Sequence, residues 1–316
     1  MLIRLGISLA LVIAAVGLLA FGDNYVLRLA TTVAMYATLA VAWNIVGGFS
    51  GYPSFATAAF FGLGAYAGGL ASVAGVPIVA AWIAAGVLTA AFATLLGLAI
   101  LHLRGHYFAI GSLVVADVLR EVTNSWVSLT GGGMGLNVPL LGGSTGTQAK
   151  IFFVAMALLA LLAFLVSVWI DRSRLGVALR CIEQNEDAAQ VIGIDTRRAK
   201  VAGFAASSLL VGIAGAIYAS WVNYIDPSDV FDISLSVKPI IMALLGGVGT
   251  LAGPVIGAFA FLGLEELIWR NSLEFHAGFL GILVVLLVLF LPGGLGALRG
   301  KGALSWISGL LGRSQK

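Results

Sequence analysis

The chain has 316 residues, of which 60% are hydrophobic and only 10% are charged, and its formal net charge at pH 7 is +3. Soluble domains carry about 25% charged residues, so this composition excludes a soluble globular protein. A small basic excess is typical of the cytoplasmic loops of a membrane protein and does not indicate a nucleic-acid partner. The single cysteine, Cys181, excludes an intrachain disulfide.

The N-terminal third of the chain predicts a series of membrane-spanning helices. Residues 5–22 are apolar behind Arg4; we interpret them as the first span, with a secretory signal peptide as the alternative. Residues 29–103 contain no Asp, Glu, Lys or Arg. Since a span needs about 20 residues, this stretch has room for about three. Glycine and proline predict breaks at 47–53 and 75–77.

The next predicted span, at 107–126, follows a short basic loop at 102–106. It carries three charged residues in its second half, Asp117, Arg120 and Glu121, and the first two have the spacing of a local ion pair on a helix. The stretch 129–146 is rich in Gly, Thr and Ser, which predicts an extracytoplasmic loop.

Residues 171–200, here termed the central charged segment, hold six of the 17 basic and five of the 14 acidic residues. An uncharged run at 151–170 precedes this segment and another at 201–225 follows it, and each predicts a span. A charged stretch between two spans is expected to lie in water. Its basic excess predicts the cytoplasmic side of the membrane.

The C-terminal part of the chain determines the predicted number of spans. It contains an acidic loop with Asp226, Asp229 and Asp232, an apolar stretch at 239–264 with a glycine turn at 246–250, an apolar run at 275–291 and a basic tail at 299–316. The acidic loop suits the outer face and the tail the cytoplasm. With the amino terminus inside, ten spans return the tail to the inside if the glycine turn separates two crossings. A broken or re-entrant helix there gives nine.

The predicted fold is therefore an all-α, polytopic membrane helical bundle, a single domain over 1–316 with about ten spans. Gly and Pro residues are expected to break several helices. The 42 glycines suit close approach of helix backbones within lipid.

A weak internal similarity relates two glycine turns. With an ungapped offset of 199, residues 47–64 match 246–263 at six positions, which is either an internal repeat or a use of glycine for tight helix packing. Substrate in transporters passes close to Gly- and Pro-interrupted helices. Residues near these turns, with one carboxylate at membrane depth, are our candidates for a translocation path: Asn44, Ser54, Thr57, Asp117, Gly246 and Gly247.

No phosphate-binding loop, H-E-x-x-H or C-x-x-C motif occurs in the sequence. We therefore expect a transport subunit and not an enzyme, without a cofactor or metal of its own. One alternative is an ion-coupled secondary transporter, because acids at membrane depth are candidate coupling groups; these are Asp117, Glu121, Glu265 and Glu266. Another alternative is an assembly subunit without its own path.

Within the central charged segment, residues 183–192 have the composition of a helix. Asp187-Ala188-Ala189, followed three residues later by Gly193, resembles the EAA loop of ABC importer permeases, with Asp187 where Glu is usual. The resemblance implies that residues 183–193, here termed the coupling segment, form a short helix that docks into a groove on an ATPase subunit. The implied coupling residues are Glu183, Glu186, Asp187, Ala188, Ala189 and Gly193.

The resemblance extends over most of the chain. Stretches at 54–69, 106–136, 173–195, 200–219, 244–258 and 290–298 resemble, in the same order, the LivM-type permease subunit of branched-chain amino acid ABC importers. The departures are Ser112 where Thr is usual, Asp117 where Glu is usual, and Cys181 where a small residue is usual.

This resemblance implies a multi-pass protein of the bacterial cytoplasmic membrane that works in a complex. Its expected partners are a paralogous permease that completes a heterodimer, two ATPase subunits that use ATP, and an extracytoplasmic solute-binding protein. The implied substrates are leucine, isoleucine and valine, although relatives carry other amino acids, amides, urea or aromatic acids.

Overall fold

The computed structural model describes residues 22–271, together with Gly17 and Leu19. Apart from those few positions, the predicted span at 5–22 lies outside the described residues. The predicted span at 275–291 and the basic tail at 299–316 lie wholly outside them.

The described part of the chain is helical, as predicted. Its helices are α1 (Asn24–Trp43), which continues into a π-helical turn (Asn44–Gly48), α2 (Thr57–Val73), α3 (Ile78–Ile100), α4 (His106–Ser125), α5 (Val127–Thr130), α6 (Thr145–Arg172), α7 (Arg174–Gln184), α8 (Glu186–Val191), α9 (Thr196–Val222), α10 (Pro227–Val230), α11 (Ser234–Gly246) and α12 (Gly253–Asn271). A 3₁₀ turn (Gly132–Met134) and two two-residue strands, β1 (Leu136–Asn137) and β2 (Tyr224–Ile225), complete it.

Four helices in the described part are long and apolar enough to cross a membrane: Asn24–Gly48, Ile78–Ile100, Thr145–Arg172 and Thr196–Val222. The helix α2 is apolar but shorter, at 17 residues. The stretch 29–103 contains three apolar helices with breaks near 47–53 and 75–77, as predicted; that all three cross the membrane stays a prediction. The number of spans in the whole chain stays a prediction.

The helix α9 lies at the centre of the bundle and is buried along most of its length. Its close contact with α2 depends on glycine. A Cβ atom on Gly64 would lie 2.2 Å from the carbonyl oxygen of Gly212, and one on Gly215 would lie 2.1 Å from the carbonyl oxygen of Phe61. Side chains at these positions would force the helices apart, so glycine here permits the close backbone packing that stabilises helices in membranes.

The connections between helices gather at two ends of the bundle. At the ribbon end, β1 pairs with β2 in antiparallel register, with Leu136 opposite Ile225. At the charged end lie the connections at 49–56, 101–105, 173–195 and 247–252, which contact one another. The two ends therefore differ in composition as well as in position.

The helix α11 has 13 residues and is about 20 Å long at 1.5 Å per residue, less than the roughly 30 Å hydrocarbon thickness of a bilayer. It begins just after Asp232 and ends at Gly246, which packs against Gly253 at the start of α12. Lys238, near the start of α11, binds Glu265, in the second half of α12. Thus α11 and α12 run in opposite directions, which is the arrangement that the ten-span interpretation requires.

The central charged segment differs from its prediction in two respects. Residues 183–192 do not form one helix, because Asn185 adopts an extended conformation that separates α7 from α8. The side-chain oxygen of Asn185 accepts a hydrogen bond from the backbone N–H of Ala188 at 3.0 Å, and asparagine is a strong helix N-cap. Not every charged residue of the segment faces solvent, since Lys200 is only 5% exposed; the cytoplasmic location of the segment stays a prediction.

Candidate functional site

The buried side chain of Lys200 organises the charged end. Its ammonium group donates hydrogen bonds to Glu186 Oε1 at 2.7 Å, to the carbonyl oxygen of Leu101 at 2.8 Å and to the hydroxyl of Tyr52 at 3.1 Å. Three acceptors satisfy all three N–H donors of a lysine. Because burial of an unpaired charge is very costly, this arrangement explains how a cation remains inside the bundle.

The carboxylate of Glu186, on α8, is the counter-ion of Lys200. It also accepts a hydrogen bond from the Tyr52 hydroxyl, and Arg104 Nε lies 3.6 Å from Glu186 Oε2. Burial alone would raise the pKa of Glu186, but the hydrogen bonds from Lys200 and Tyr52, with the charges of Lys200 and Arg104, outweigh it and hold the pKa below its ordinary value. Glu186 is therefore ionised at neutral pH.

A second, exposed ion pair lies beside the buried one. Arg104 Nη2 donates to Asp187 Oδ1 at 2.9 Å, and the two side chains are 54% and 74% exposed. The hydrogen bond to Asp187 and the charge of Glu186 raise the pKa of Arg104. As a result, α8 is attached to the connection at 49–56, to the connection at 101–105 and to the start of α9.

The helix α7 contacts the charged end through two other residues. Arg180 Nη2 donates to Asp171 Oδ1 at 2.6 Å, and its guanidinium carbon lies 5.0 Å from the ring centroid of Phe49, within the range of a cation–π contact. The Glu183 side chain packs on the backbone of Gly51. A Cβ atom added to Gly51 would lie 3.2 Å from Glu183 Cγ.

The broken segment at 49–56 has backbone groups that a helix would have paired internally. In this segment, side-chain hydroxyl and indole groups form hydrogen bonds with those backbone groups instead. Ser112 Oγ accepts from the N–H of Phe55 at 2.9 Å, Ser236 Oγ donates to the carbonyl oxygen of Phe55 at 2.6 Å, and Trp43 Nε1 donates to the carbonyl oxygen of Ser54 at 2.8 Å. Irregular backbone inside a membrane protein requires such partners, so these side chains stabilise the break.

The six candidates for a translocation path do not all lie together, although Asn44 contacts the glycine turn at 246–250 that contains Gly246 and Gly247. Asn44, which is 1% exposed, donates from Nδ2 to the carbonyl oxygen of Thr250 at 2.9 Å, and its Oδ1 accepts from the N–H of Gly249 at 2.8 Å. Its amide is thus engaged by protein backbone. Gly246 packs against Gly253, since a Cβ atom on Gly246 would lie 1.7 Å from the Gly253 carbonyl oxygen.

The other members of that set are Gly247, which adjoins Gly246 in the same turn, and three residues elsewhere in the bundle. Gly247, with φ of +114°, follows the last residue of α11. Ser54 and Thr57 are buried where the broken segment joins α2. Asp117 is 65% exposed on α4, where its carboxylate lies 3.3 Å from Arg120. Assignment of these residues to a path stays a prediction.

The remaining acids proposed for ion coupling include two with partners in the structure. Glu265 Oε1 accepts from Lys238 Nζ at 2.8 Å, and Glu266 accepts a hydrogen bond from the hydroxyl of Tyr25. Glu121 lies on an exposed part of α4 beside Val118 and Val122.

The six predicted coupling residues lie together at the charged end, but they divide between inward and outward positions. Ala189 is 1% exposed, whereas the side chain of Asp187 is 74% exposed. Val191 and Ile192, which were not among the six, are 87% and 71% exposed. Gly193 has φ of +88°, and it ends the helix because glycine readily adopts this conformation.

Sequence reasoning missed four residues of this site: Tyr52, Arg104, Arg180 and Lys200. Arg180 and Lys200 were counted only as part of the basic excess. The signal available for Lys200 was its position at the start of a long uncharged run, because a lysine there requires a partner. Nothing in the local sequence indicated that Glu186, 14 residues earlier, and Tyr52, 148 residues earlier, would be those partners.

Comparison with known proteins identifies a family that covers most of the chain. The family model described as branched-chain amino acid transport system / permease component matches residues 25–291, which is most of the chain. No solved structure matches the chain.

Individual relatives fall into the same group of transport proteins. The high-affinity branched-chain amino acid transport system permease protein LivM of Escherichia coli (strain K12) is 28% identical over 294 residues, covering 84% of this chain and 69% of that protein. The corresponding LivH protein of Salmonella typhimurium is 28% identical over 200 residues, covering 58% and 63%. The xylose transport system permease protein XylH of E. coli is 35% identical over 99 residues, covering 30% and 25%.

Proposed function

We propose, because this chain belongs to the family of permease components of branched-chain amino acid transport systems, that it is one membrane subunit of an ATP-driven importer for branched-chain or related amino acids. An extracytoplasmic binding protein delivers the substrate. Two ATPase subunits drive the transport cycle through the coupling segment, residues 183–193, at the cytoplasmic face of the bacterial inner membrane.

The observation that carries the coupling role is the two-sided character of α8 and the residues that follow it. Glu186 binds inward to the buried Lys200 and Asp187 forms an exposed pair with Arg104, while Val191 and Ile192 project outward with most of their surface exposed. A short helix anchored by buried polar contacts, with an apolar tip, is suited to insertion into a groove on a soluble partner.

The relatives support the proposal of a second permease in the complex. LivM and LivH are both named as permease proteins of the same kind of transport system, and each is 28% identical to this chain over the matched residues. A partner related in sequence would assemble with this chain as a heterodimer. ATP is bound by the ATPase subunits in this proposal, and the chain needs no cofactor of its own.

The coupling role can be tested with the double variant Val191→Glu/Ile192→Glu in the co-expressed complex. Carboxylates at the apolar tip would have to be desolvated on docking. We therefore expect loss of the ATPase subunits on co-purification and loss of ATP-dependent leucine uptake, with unchanged membrane insertion. The matched control is Leu140→Glu at the ribbon end, whose side chain is 72% exposed and which should leave both measurements unchanged.

The same experiment separates the proposed function from an ion-coupled secondary transporter. Uptake by the double variant at the parent rate would contradict the coupling role. Uptake that continues without ATP and stops when the proton gradient is dissipated would contradict the ATP-driven importer itself.

A further inference from the structure

The two glycine turns that the sequence relates by an offset of 199 lie directly against each other. They comprise residues 47–51 and 246–250 and are here termed the paired turns. A Cβ atom on Gly48 would lie 2.8 Å from the backbone nitrogen of Gly249, and one on Gly249 would lie 3.1 Å from the carbonyl oxygen of Gly48. The paired turns therefore meet backbone to backbone, with no room for a side chain between them.

One buried amide joins the paired turns. Asn44 accepts a hydrogen bond from Gly249 and donates one to the carbonyl oxygen of Thr250, at 2.8 Å and 2.9 Å. A side chain with both a donor and an acceptor is needed to satisfy both backbone groups. These groups belong to a non-helical connection, so without Asn44 they would lose their hydrogen-bond partner in the protein.

Each of the paired turns connects two helices of the bundle. The first lies between α1 and α2, and the second lies between α11 and α12. A change in the contact between the paired turns would therefore alter the relative positions of four helices at once.

The helix α7 touches both of the paired turns through a single side chain. The guanidinium group of Arg180 lies over the ring of Phe49 in the first turn, and its Nη2 lies 3.4 Å from the carbonyl oxygen of Gly249 in the second. Asp171, at the end of α6, holds the same guanidinium group at 2.6 Å. Glu183, one helical turn further along α7, packs on Gly51.

We infer that the paired turns are the joint through which displacement of α7 and α8 is passed to the membrane helices, with Arg180 and Asn44 as positioning residues for transport. Arg180 lies on the segment that the ATPase would move and contacts both turns. Asn44 holds the two turns in a fixed position relative to each other. This inference rests on the proposed function, because it requires that an ATPase drives the segment.

The test measures leucine molecules transported per ATP hydrolysed by the complete complex in proteoliposomes. We expect Arg180→Gln and Asn44→Ala to lower this ratio about fivefold or more, a usual size for coupling between sites, with ATP hydrolysis within about twofold of the parent. Arg180→Lys, which retains the charge facing Asp171 but loses the planar group over Phe49, should be intermediate. The control is Arg174→Gln, exposed on the same helix.

The outcomes separate this inference from the proposed function. A parent complex without ATP-dependent uptake of leucine or of any related amino acid would overturn both. A coupled parent whose Arg180→Gln and Asn44→Ala variants keep the parent ratio would overturn the joint alone, as would an equal loss in Arg174→Gln. Arg180 is 45% exposed, and its replacement removes no core side chain. The transport ratio of Arg180→Gln therefore tests the inference even if Asn44→Ala lowers the yield of complex.

Discussion

The charged end and the ribbon end of the bundle are stabilised by different kinds of interaction. At the charged end, side chains from distant parts of the sequence meet, as when Lys200 binds both Glu186 and Tyr52. At the ribbon end, backbone pairs with backbone in the β1–β2 ribbon, and Asp226 caps its own short helix by accepting from the N–H groups of Ser228 and Asp229.

This difference bears on which end can change shape. Ion pairs and side-chain hydrogen bonds can exchange partners while the helices that carry them stay folded. Backbone pairing in a two-stranded ribbon and local caps fix the chain more directly. We therefore expect perturbations at the charged end to affect coupling as well as stability, and perturbations at the ribbon end to affect stability without changing association with the ATPase.

The largest effect is expected from Glu186→Gln. This change leaves the charge of Lys200 buried without its counter-ion, and loss of one partner of a buried pair costs about 3–5 kcal/mol. The measurement is thermal unfolding of the purified complex in detergent. The matched control replaces all three polar groups, as Lys200→Met/Glu186→Met/Tyr52→Phe, and should regain most of the stability. A single Gln variant as stable as the parent would show that Lys200 is not held by this pair.

Acidification should weaken the same pair. The folded-state pKa of Glu186 lies below its ordinary value of 4.5, so its ionised form stabilises the fold fully above pH 4.5. This stabilisation is lost as the pH falls through the lowered folded value. Thermal unfolding between pH 7 and pH 3 measures it. Asp226, whose pKa is lowered chiefly by the hydrogen bond from Ser228, contributes in the same direction at the ribbon end.

The contribution of Glu186 is therefore obtained as the difference between the parent and the triple apolar variant. If both lose stability equally over that pH range, the acid-sensitive group lies elsewhere.

At the ribbon end, Gly135→Ala should destabilise the fold by about 1–3 kcal/mol. Gly135 has φ of +73°, and a Cβ atom there would lie 2.6 Å from the carbonyl oxygen of Ile225. Thermal unfolding measures the loss, while co-purification of the ATPase should be unchanged. Gly142→Ala is the control, because nothing lies within 4 Å of a Cβ atom at that position. Equal effects in the two variants would mean that the close backbone approach at the ribbon is unimportant.

The smallest effect on stability is expected from Arg104→Gln. Its partner Asp187 is 74% exposed, and exposed ion pairs contribute about 0–1 kcal/mol. The loss should shrink further in high salt, because salt screens exposed charges. Unfolding midpoints at low and high ionic strength test this. A loss as large as that of Glu186→Gln would remove the distinction between the buried and the exposed pair.

The helices and their breaks were predictable from the sequence because hydropathy and glycine act locally. The break at Asn185 was not, since the flanking residues favour helix and only the capping bond to Ala188 decides between one helix and two. Lys200 was assigned to water because it ends a charged run. Its burial depends on Tyr52 and Leu101, which only the packing of separate helices brings near.

Asn44 shows the same limit for function. Its position beside a glycine turn suggested a polar residue available to a path, but its amide forms hydrogen bonds with Gly249 and Thr250. The sequence similarity related the two turns without indicating that they touch. Contacts of this kind join residues about 200 positions apart, and no local pattern encodes them.

The solitary thiol of the chain stands next to Arg180. Cys181 is half-buried on α7 and packs against the core, and the sequence contains no second cysteine to compete for a maleimide dye. A fluorophore attached to Cys181 would report on the segment beside the paired turns, and no cysteine of this chain would have to be removed first. Its emission could be followed during nucleotide turnover in real time.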